Sequence, residues 1–476
     1  MSSHEVHVKF AGRIVFVGFG SIGQGVLPLI LRHIGTSADR ITIVTAENAG
    51  RAEADHFGVK FVKTALTREN YRQTLEPLLG PGDFLLNLSV DVSSIALIEL
   101  ARERGALYLD TCIEPWAGGY TDSKLSVDAR SNYTMRDAAL ALRKSPGGAS
   151  KDAPTAVLTH GANPGLVSHL VKRALLNVAQ DVGLETKVPT TREQWAKLAQ
   201  TLDIKVIHVA ERDTQVSKDP KKPNEFVNTW SVDGFVSEGA QPAELGWGTH
   251  EKHFPADGGR HEVGSRCAIY LNRPGASTRV RTWTPKAGHF HAFLITHSEA
   301  ISLADYYTVT EGGRAVYRPT THYAYHPSDN AVLSVHEFAG RNWHLQGSKR
   351  IMLDDITGGI DELGVLLAGH KKNAYWYGSQ LSIEEARKLV QYNSATSLQV
   401  TVAVLAGMVW AMENPRRGII EPDEMDFERP LAVAMPYLGK VVGEYTGWTP
   451  LYQRGELFAE DLDTADPWQF KNVRVI

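Results

Sequence analysis

In this chain of 476 residues, acidic side chains follow strand-like runs: Asp91 after Asn87-Leu-Ser-Val, Glu114 after Leu109-Asp-Thr-Cys-Ile, and Glu211 after Val206-Ile-His-Val-Ala. Asn163 takes the same place in Gly161-Ala-Asn-Pro-Gly165. In an open parallel sheet the carboxyl ends of the strands face the ligand crevice, so side chains just beyond those ends can reach a ligand. Converging carboxylates make a negative pocket, and the ligand that suits it is an amine. Trp230, in Val227-Asn-Thr-Trp-Ser-Val232 with Glu238 further along, adds an aromatic face that can hold an ammonium or iminium. Such a contact is worth about 2 kcal/mol when desolvated. Simpler readings stand beside these. Asp91 can cap a helix starting near Ser93, Asn163 can open an Asn-Pro turn, Glu211 can pair with Arg212 at the surface, and Trp230 can be core.

A redox cofactor is expected beside that pocket. Arg13-Ile-Val-Phe-Val-Gly18-Phe-Gly20-Ser-Ile-Gly23-Gln-Gly25 is an apolar strand running into glycines with the spacing of a dinucleotide-binding turn. Gly18 permits the turn, Gly20 lets backbone approach a pyrophosphate, and Gly23 lets the next helix pack on the sheet. The pyrophosphate would rest on free N–H groups at the helix start. The following strand, 40–45, ends on Thr45 where an acid for the ribose hydroxyls is usual. Glu47 can take that role, or Arg51 can meet a 2'-phosphate; the rule favours NAD over NADP.

The elements that must position these groups read as α/β. Strands at 83–89, 106–110 and 155–158 alternate with a helix at 93–103, the pattern of a doubly wound parallel sheet. The Pro/Gly/Ser-rich stretch 145–154 reads as a surface loop. Beyond it, runs at 204–210, 267–271, 278–283 and 291–297 suggest a mixed sheet in a second α/β (α+β) domain. Residues 242–264, rich in Gly, His and Glu, read as a segment wrapping the site or a partner subunit. The apolar stretch 398–412 reads as a buried helix returning to the first domain. The expected organisation is a dinucleotide-binding domain over 1–163 completed by a helix near 394–413, a substrate and dimerisation domain over 164–393, and a C-terminal extension over 414–476.

Composition narrows the classes. Fifty basic against 54 acidic side chains leave a formal net charge of −4, with no long basic run, so no nucleic-acid partner is expected. No apolar run reaches the roughly 18 residues that span a bilayer, and the N-terminus lacks a signal-peptide core, so no membrane association and a cytoplasmic protein are expected. Cys112 and Cys267 are too few for a disulfide framework or a thiolate zinc site and read as inert. His289 and His291 alternate on one strand face but lack the pattern of a zinc site, and no metal is expected.

The chain resembles the bacterial homospermidine synthases over essentially its full length. The resemblance rests on Gly18-Phe-Gly-Ser-Ile-Gly23, Asn87-Leu-Ser-Val-Asp91, Glu114-Pro-Trp116, Gly161-Ala-Asn-Pro-Gly165, Ala210-Glu-Arg-Asp-Thr-Gln215, Gly234-Phe-Val-Ser-Glu-Gly239, Glu244-Leu-Gly-Trp-Gly248 and Asn373-Ala-Tyr-Trp-Tyr-Gly-Ser-Gln380. It implies a Rossmann domain plus a second α/β domain, related in fold to saccharopine dehydrogenases, a homodimer, and a tightly held NAD regenerated in each turnover. The implied reaction joins two putrescines, or spermidine and putrescine, into homospermidine through an imine and a Schiff base, releasing ammonia or diaminopropane. The implied roles put Trp230 on the iminium, His297 as the base, and Glu238 and Asn163 on the reacting nitrogen. Asp91, Glu114, Glu211, Glu299 and Asp361 would hold the ammonium groups. Cofactor contacts are expected at Gly18, Gly20, Ser21, Ile22, Gly23, Thr45, Ser89, Asp110 and Thr111. Two other readings are a net reductase of the saccharopine or carboxynorspermidine type and a non-catalytic NAD-binding polyamine sensor.

Overall fold

The computed structural model describes residues 4–120, 122–145 and 152–476. Residues 146–151 of the expected loop and Met1 to Ser3 of the N-terminus lie outside the described residues.

The first layered unit is built on seven parallel strands in the order Ile419–Ile420, Ala156–Val157, Leu107–Asp110, Phe84–Asn87, Ile14–Val17, Ile41–Thr45, Lys60–Lys63. Both faces of the central strands are buried, which explains why Ile-Val-Phe-Val and Phe-Leu-Leu-Asn are continuous apolar runs rather than alternating ones. The order reverses at Ile14–Val17, and the crevice beyond its carboxyl end is the place where such sheets bind ligands.

The second unit is an eleven-stranded mixed sheet. At its centre Val206–Asp213 runs parallel to Thr320–His326 and antiparallel to Ile360–Ala368. Side chains alternate along Val206–Asp213, so Ile207, Val209, Glu211 and Asp213 share one face with Tyr323, Tyr325, Asp361 and Leu363. The helix Leu166–Asp181 packs on this sheet. Val206, His208 and Ala210 point the other way.

Two sequence expectations change. The strand expected to stop at residue 210 continues to Asp213, which turns Glu211 from a residue beyond the strand into one fixed within it, 2% exposed. Surface pairing of Glu211 with Arg212 is thereby removed. The 242–264 segment is not simply a wrap: Pro242–Gly246 is a fully buried strand and Gly258–Arg260 is the sheet edge.

The helix Ala395–Glu413 is apolar almost all round because it is enclosed almost all round. It starts at a Ser394 cap, packs along Ser21–His33, and also meets Leu107–Asp110, Ile360–Ala368 and Ala374–Ser382, so it spans both units. Gly407 permits the close approach: a Cβ there would lie 2.7 Å from Leu109 Cδ1 and 2.8 Å from His160 Cγ. After the helix the chain adds Ile419–Ile420 to the first sheet, then Lys440–Thr446 and Arg474–Val475 to the second. The C-terminal residues are thus woven into both sheets.

Candidate active site

Two adjoining cavities lie between the units. The first is a cleft at the carboxyl ends of the parallel strands, lined by Gly18, Gly20, Thr45, Glu47, Ser89 and Asp91 among others. Gly18 has φ +84, and a Cβ there would sit 2.8 Å from the Leu88 carbonyl; beside Gly20 nothing lies within 4 Å of a Cβ, leaving the space a ligand's backbone-hugging group needs. Gly23 packs against Phe19, where a Cβ would come within 2.8 Å of the ring. At the start of the Ser21–His33 helix the Ser21 hydroxyl is buried with no hydrogen-bond partner. An open backbone turn, an orphaned hydroxyl and a helix N-terminus together fit a dinucleotide's phosphates. Glu47 lines the cleft near Thr45, whereas Arg51 stacks on the Phe61 ring, 4.5 Å from its centroid.

The second cavity is lined by Ile22, Thr111, Asn163, Glu211, Trp230, Glu238 and His297, and it shares Leu88, Ser89, Val90 and Ser231 with the cleft. His297 ends the run from the Gly288–Ile295 strand and precedes the Ser298–Tyr306 helix, whose first turn carries Glu299. Its Nδ1 is 3.2 Å from Glu299 Oε1 and 3.4 Å from the Asn163 side-chain amide, and Nε2 stands 3.0 Å from Glu238 Oε2, an ionic contact without hydrogen-bond alignment. Burial alone would lower the imidazole pKa, but the two carboxylates overcome it and raise it to about 10. In the unliganded cavity His297 is therefore an imidazolium. The resemblance implies the role of base for His297, and its surroundings make the conjugate acid its form at neutral pH.

The Val232–Ala240 helix carries Glu238, and its cap, the Ser231 hydroxyl accepting from Gly234 N at 3.0 Å, fixes the turn that presents Trp230. Trp230 is half-buried, and its Nε1 donates to the Tyr325 hydroxyl at 3.2 Å. Tyr323, next along that strand face, donates its hydroxyl to Glu211 Oε2 at 2.6 Å, and its ring lies 4.5 Å from the His297 ring.

The acids gather in two groups. Glu211, Asp213 and Asp361 lie on one face of adjacent strands. Burial raises the Glu211 carboxyl to about 8, with neighbouring Asp213 adding to the effect, and pushes Asp361 well above the ordinary range, with Glu211 and Asp213 adding to it. Neither Asp361 oxygen has a hydrogen-bond partner. Glu114 and Asp91 form the second group. Burial raises Glu114 to about 8, although Cys112 Sγ donates to its Oε1 at 3.2 Å and Asp91 N to its Oε2 at 3.4 Å. Asp91 has φ +65 and lines the cleft, where burial and Asp233 raise its pKa. It does not cap the following helix: Ser93 does, accepting from Ala96 N.

Six of the expected contacts, Ser21, Gly23, Asp110, Glu114, Glu299 and Asp361, line neither cavity. Among them, the fully buried Asp110 carboxyl accepts from Thr159 N at 2.6 Å and Tyr108 Oη at 2.7 Å, and burial raises it to about 7. It ties the 107–110 strand to the turn that carries Asn163. Sequence reading missed Tyr323, Asp213, Cys112 and Thr396. The first two had a signal: Asp213 lies two residues from Glu211, hence on the same strand face, and Tyr323 and Tyr325 alternate in Thr320-Thr-His-Tyr-Ala-Tyr-His326.

Comparison with known proteins bears on this geometry. The saccharopine dehydrogenase NADP binding domain matches residues 14–157, and the saccharopine dehydrogenase C-terminal domain matches residues 161–446. The chain is 55% identical over 480 residues to homospermidine synthase of Blastochloris viridis, covering 100% of both chains, and 53% identical over 478 residues to that of Mesorhizobium japonicum, covering 99% of this chain and 98% of the relative. The chain belongs to the homospermidine synthase family. The crystal structure of homospermidine synthase from Legionella pneumophila in complex with NAD superposes with a TM-score of 0.91 at 48% identity, covering 98% of each chain. The fold expected from sequence, a Rossmann unit joined to a mixed-sheet α/β unit, is the fold of this family member.

The raised pKa values set a pH dependence. Glu114, Glu211 and Asp110 keep protons in the folded state that the unfolded chain gives up near pH 4, so their contribution to stability falls as pH rises through about 7 to 8. His297, raised to about 10, stabilises fully below its unfolded value near 6.5, and that contribution is lost as pH climbs to 10. All four changes have the same sign. The melting temperature of the ligand-free protein should fall steadily between pH 7 and pH 10 in calorimetric scans, and a flat profile would contradict the charge states assigned to the cavity.

Proposed function

We propose that this chain is an NAD-dependent homospermidine synthase that joins two putrescines, or spermidine and putrescine, with release of ammonia or diaminopropane. The observation that carries the reading is the shared wall: Ser89, Val90 and Ser231 line both the dinucleotide cleft and an acidic cavity containing Trp230 and His297. An amine held in the second cavity therefore lies beside a cofactor held in the first. Gly18, Gly20, Ser21, Ile22, Gly23, Thr45, Ser89 and Thr111 are the residues proposed to hold NAD, with Glu47 at the ribose; the placement of Arg51 on Phe61 supports NAD over NADP. When bound, NAD supplies reversible hydride transfer, so the overall reaction is redox-neutral. The proposed setting is a cytoplasmic homodimer.

The residues would act through charge. A diamine enters as a dication, and Glu211, Asp361 and Glu299 on one side and Asp91 and Glu114 on the other provide the counter-charges for its ends. The reacting nitrogen, placed by Glu238 and Asn163, must lose its proton before its carbon can be oxidised, and an alkylammonium has a pKa near that of lysine, about 10.4. His297, raised to about 10 by Glu238 and Glu299, starts as the imidazolium and must itself become neutral before it can take that proton. A cation competing for Glu238 and Glu299 removes what kept His297 charged; the imidazolium sheds its proton and the neutral ring accepts that of the amine. The same ring then returns a proton to the departing ammonia. Trp230 faces the carbon centre as iminium charge develops, which is where stabilisation accelerates the reaction.

Incubation with putrescine and catalytic NAD should give one ammonia per homospermidine, by mass spectrometry and ammonia assay, without net NADH. Product formed only with stoichiometric NAD(P)H and a carboxylated partner would transfer the protein to the reductases. Trp230→Ala should lower kcat by about 30-fold, the equivalent of about 2 kcal/mol, with little change in melting temperature; wild-type turnover in the folded variant removes the iminium role. Putrescine binding at pH 7.5 should release protons from His297, Glu211 and Glu114, giving a calorimetric enthalpy that varies with the ionisation enthalpy of the buffer. An enthalpy independent of buffer would show that the cavity does not exchange protons as described.

A further inference from the structure

A third cavity, of about 390 Å³, shares no lining residue with the amine cavity and has the reverse chemistry. Its polar lining includes Arg281, His289, His291 and His326, and Phe290, Trp448 and Tyr452 supply aromatic surface. His326 belongs to the same strand as Tyr323 and Tyr325 but to the alternate side-chain set, which directs it away from Glu211. Arg281 and His291 are directly paired across antiparallel strands, and Trp283 faces His289 one pair further on.

The hydrogen bonds leave donors without acceptors. Arg281 Nη1 donates to His291 Nε2. A guanidinium carries only donors, so Nε2 must be the acceptor and the imidazole proton resides on Nδ1. Arg281 Nε is buried and has no partner. The nearby carboxylate, Glu460, is already held by Arg454 through Nε and Nη2, and it stands 3.8 Å from Arg281 Nη2. Arg454 is further engaged through Nη1, which donates to the Pro450 and Asn472 carbonyls. One carboxylate thus serves two guanidiniums, and a positive charge is left over in a half-buried aromatic surround. Burial lowers the pKa of both Arg281 and His291, and the cationic neighbours lower them further, as expected where cations lack their anion.

We propose that this cavity is a second ligand site, for a phosphorylated compound bearing a planar ring. A planar carboxylate is best met by the two parallel donors of a guanidinium fork, but Nη1 is engaged by His291 and Nη2 lies near Glu460, so Arg281 offers Nε alone. Single donors from Arg281 and His291 suit a tetrahedral oxyanion with several acceptor oxygens, and the aromatic walls suit a ring attached to it. The volume is that of a small-molecule site. A ligand of this charge is repelled by the acidic amine cavity, so the site serves something other than the polyamine substrate.

The test is isothermal titration of the NAD-loaded protein, whose dinucleotide cleft is filled, with phenyl phosphate and with inorganic phosphate. Wild type should bind one phenyl phosphate per chain, about tenfold more tightly than phosphate, and R281Q should weaken both by about tenfold or more. Y452A, on an exposed residue, should weaken phenyl phosphate alone. H291Q provides the same reading as R281Q if that variant does not fold. Absence of saturable binding to wild type, or unchanged affinity in both R281Q and H291Q, overturns the proposal.

Discussion

A carboxylate removed from water costs several kcal/mol unless a cation or several donors replace the solvent, and this molecule leaves several of them short. Asp361 has no hydrogen-bond partner for either oxygen, Glu299 Oε2 has none, and Glu211 receives one from Tyr323. No lysine or arginine lines the cavity that contains Glu211, Glu238 and His297. The deficit shows in the titrations: burial raises the carboxyls of Glu211 and Asp361, and the neighbouring carboxylates raise the His297 imidazole. A lining with several carboxyls short of donors suits a cationic ligand.

That arrangement requires a rigid frame, because a few tenths of an ångström decide whether two carboxylates share a proton or repel. The frame is the central mixed sheet. Glu211 and Asp213 are two residues apart on Val206–Asp213, and Asp361 is paired directly with Asp213 across the antiparallel ladder, so their spacing is set by backbone hydrogen bonds rather than side-chain rotamers. Tyr323 and Tyr325 are registered against Val209 and Glu211 on the parallel neighbour. The relation of this frame to the dinucleotide cleft is set by Ala395–Glu413, which contacts strands of both sheets and the helix that follows the glycine turn. The residues beyond it contribute strands to each sheet, so moving one unit against the other would break pairing at Ile419–Ile420 or Lys440–Thr446.

The parallel sheet is legible because each of its strands is a short apolar run ended by glycine or polar punctuation, and the buried helix because the nearly uniform apolarity of 398–412 leaves few other places to lie. What escaped was register. Val206–Asp213 was read as ending three residues early, since charged Glu211-Arg-Asp213 resembles the start of a loop; burial of two acids inside a strand contradicts the usual rule that strands lose charge toward the core. The error hid the fact that Glu211 and Asp213 share a face, and with it the pairing to Asp361. Pro242–Gly246 escaped for a related reason: Glu244 in a Gly- and His-rich stretch looks like surface, yet its buried carboxylate accepts from Asn132 N and Thr296 Oγ1 and joins the sheet to the helix at 132–141. Asp110 shows the reverse case, a residue at a strand end whose carboxyl is spent on Tyr108 and Thr159 rather than on a ligand.

The charge state of His297 links these threads. An imidazole buried among neutral groups would be neutral, and one beside a single exposed carboxylate would titrate near 7. Here Glu299 is fixed by the first turn of one helix and Glu238 by another, and their combined field holds the ring charged until something else neutralises them. Under the proposed function, the histidine is a base only when a cation is present. Had it been neutral at rest, it would compete with substrate for no counter-charge, and the cavity would carry an unbalanced negative charge at substantial cost in stability. The imidazolium removes that cost, so the two carboxylates that raise the ring's pKa are themselves balanced by its charge.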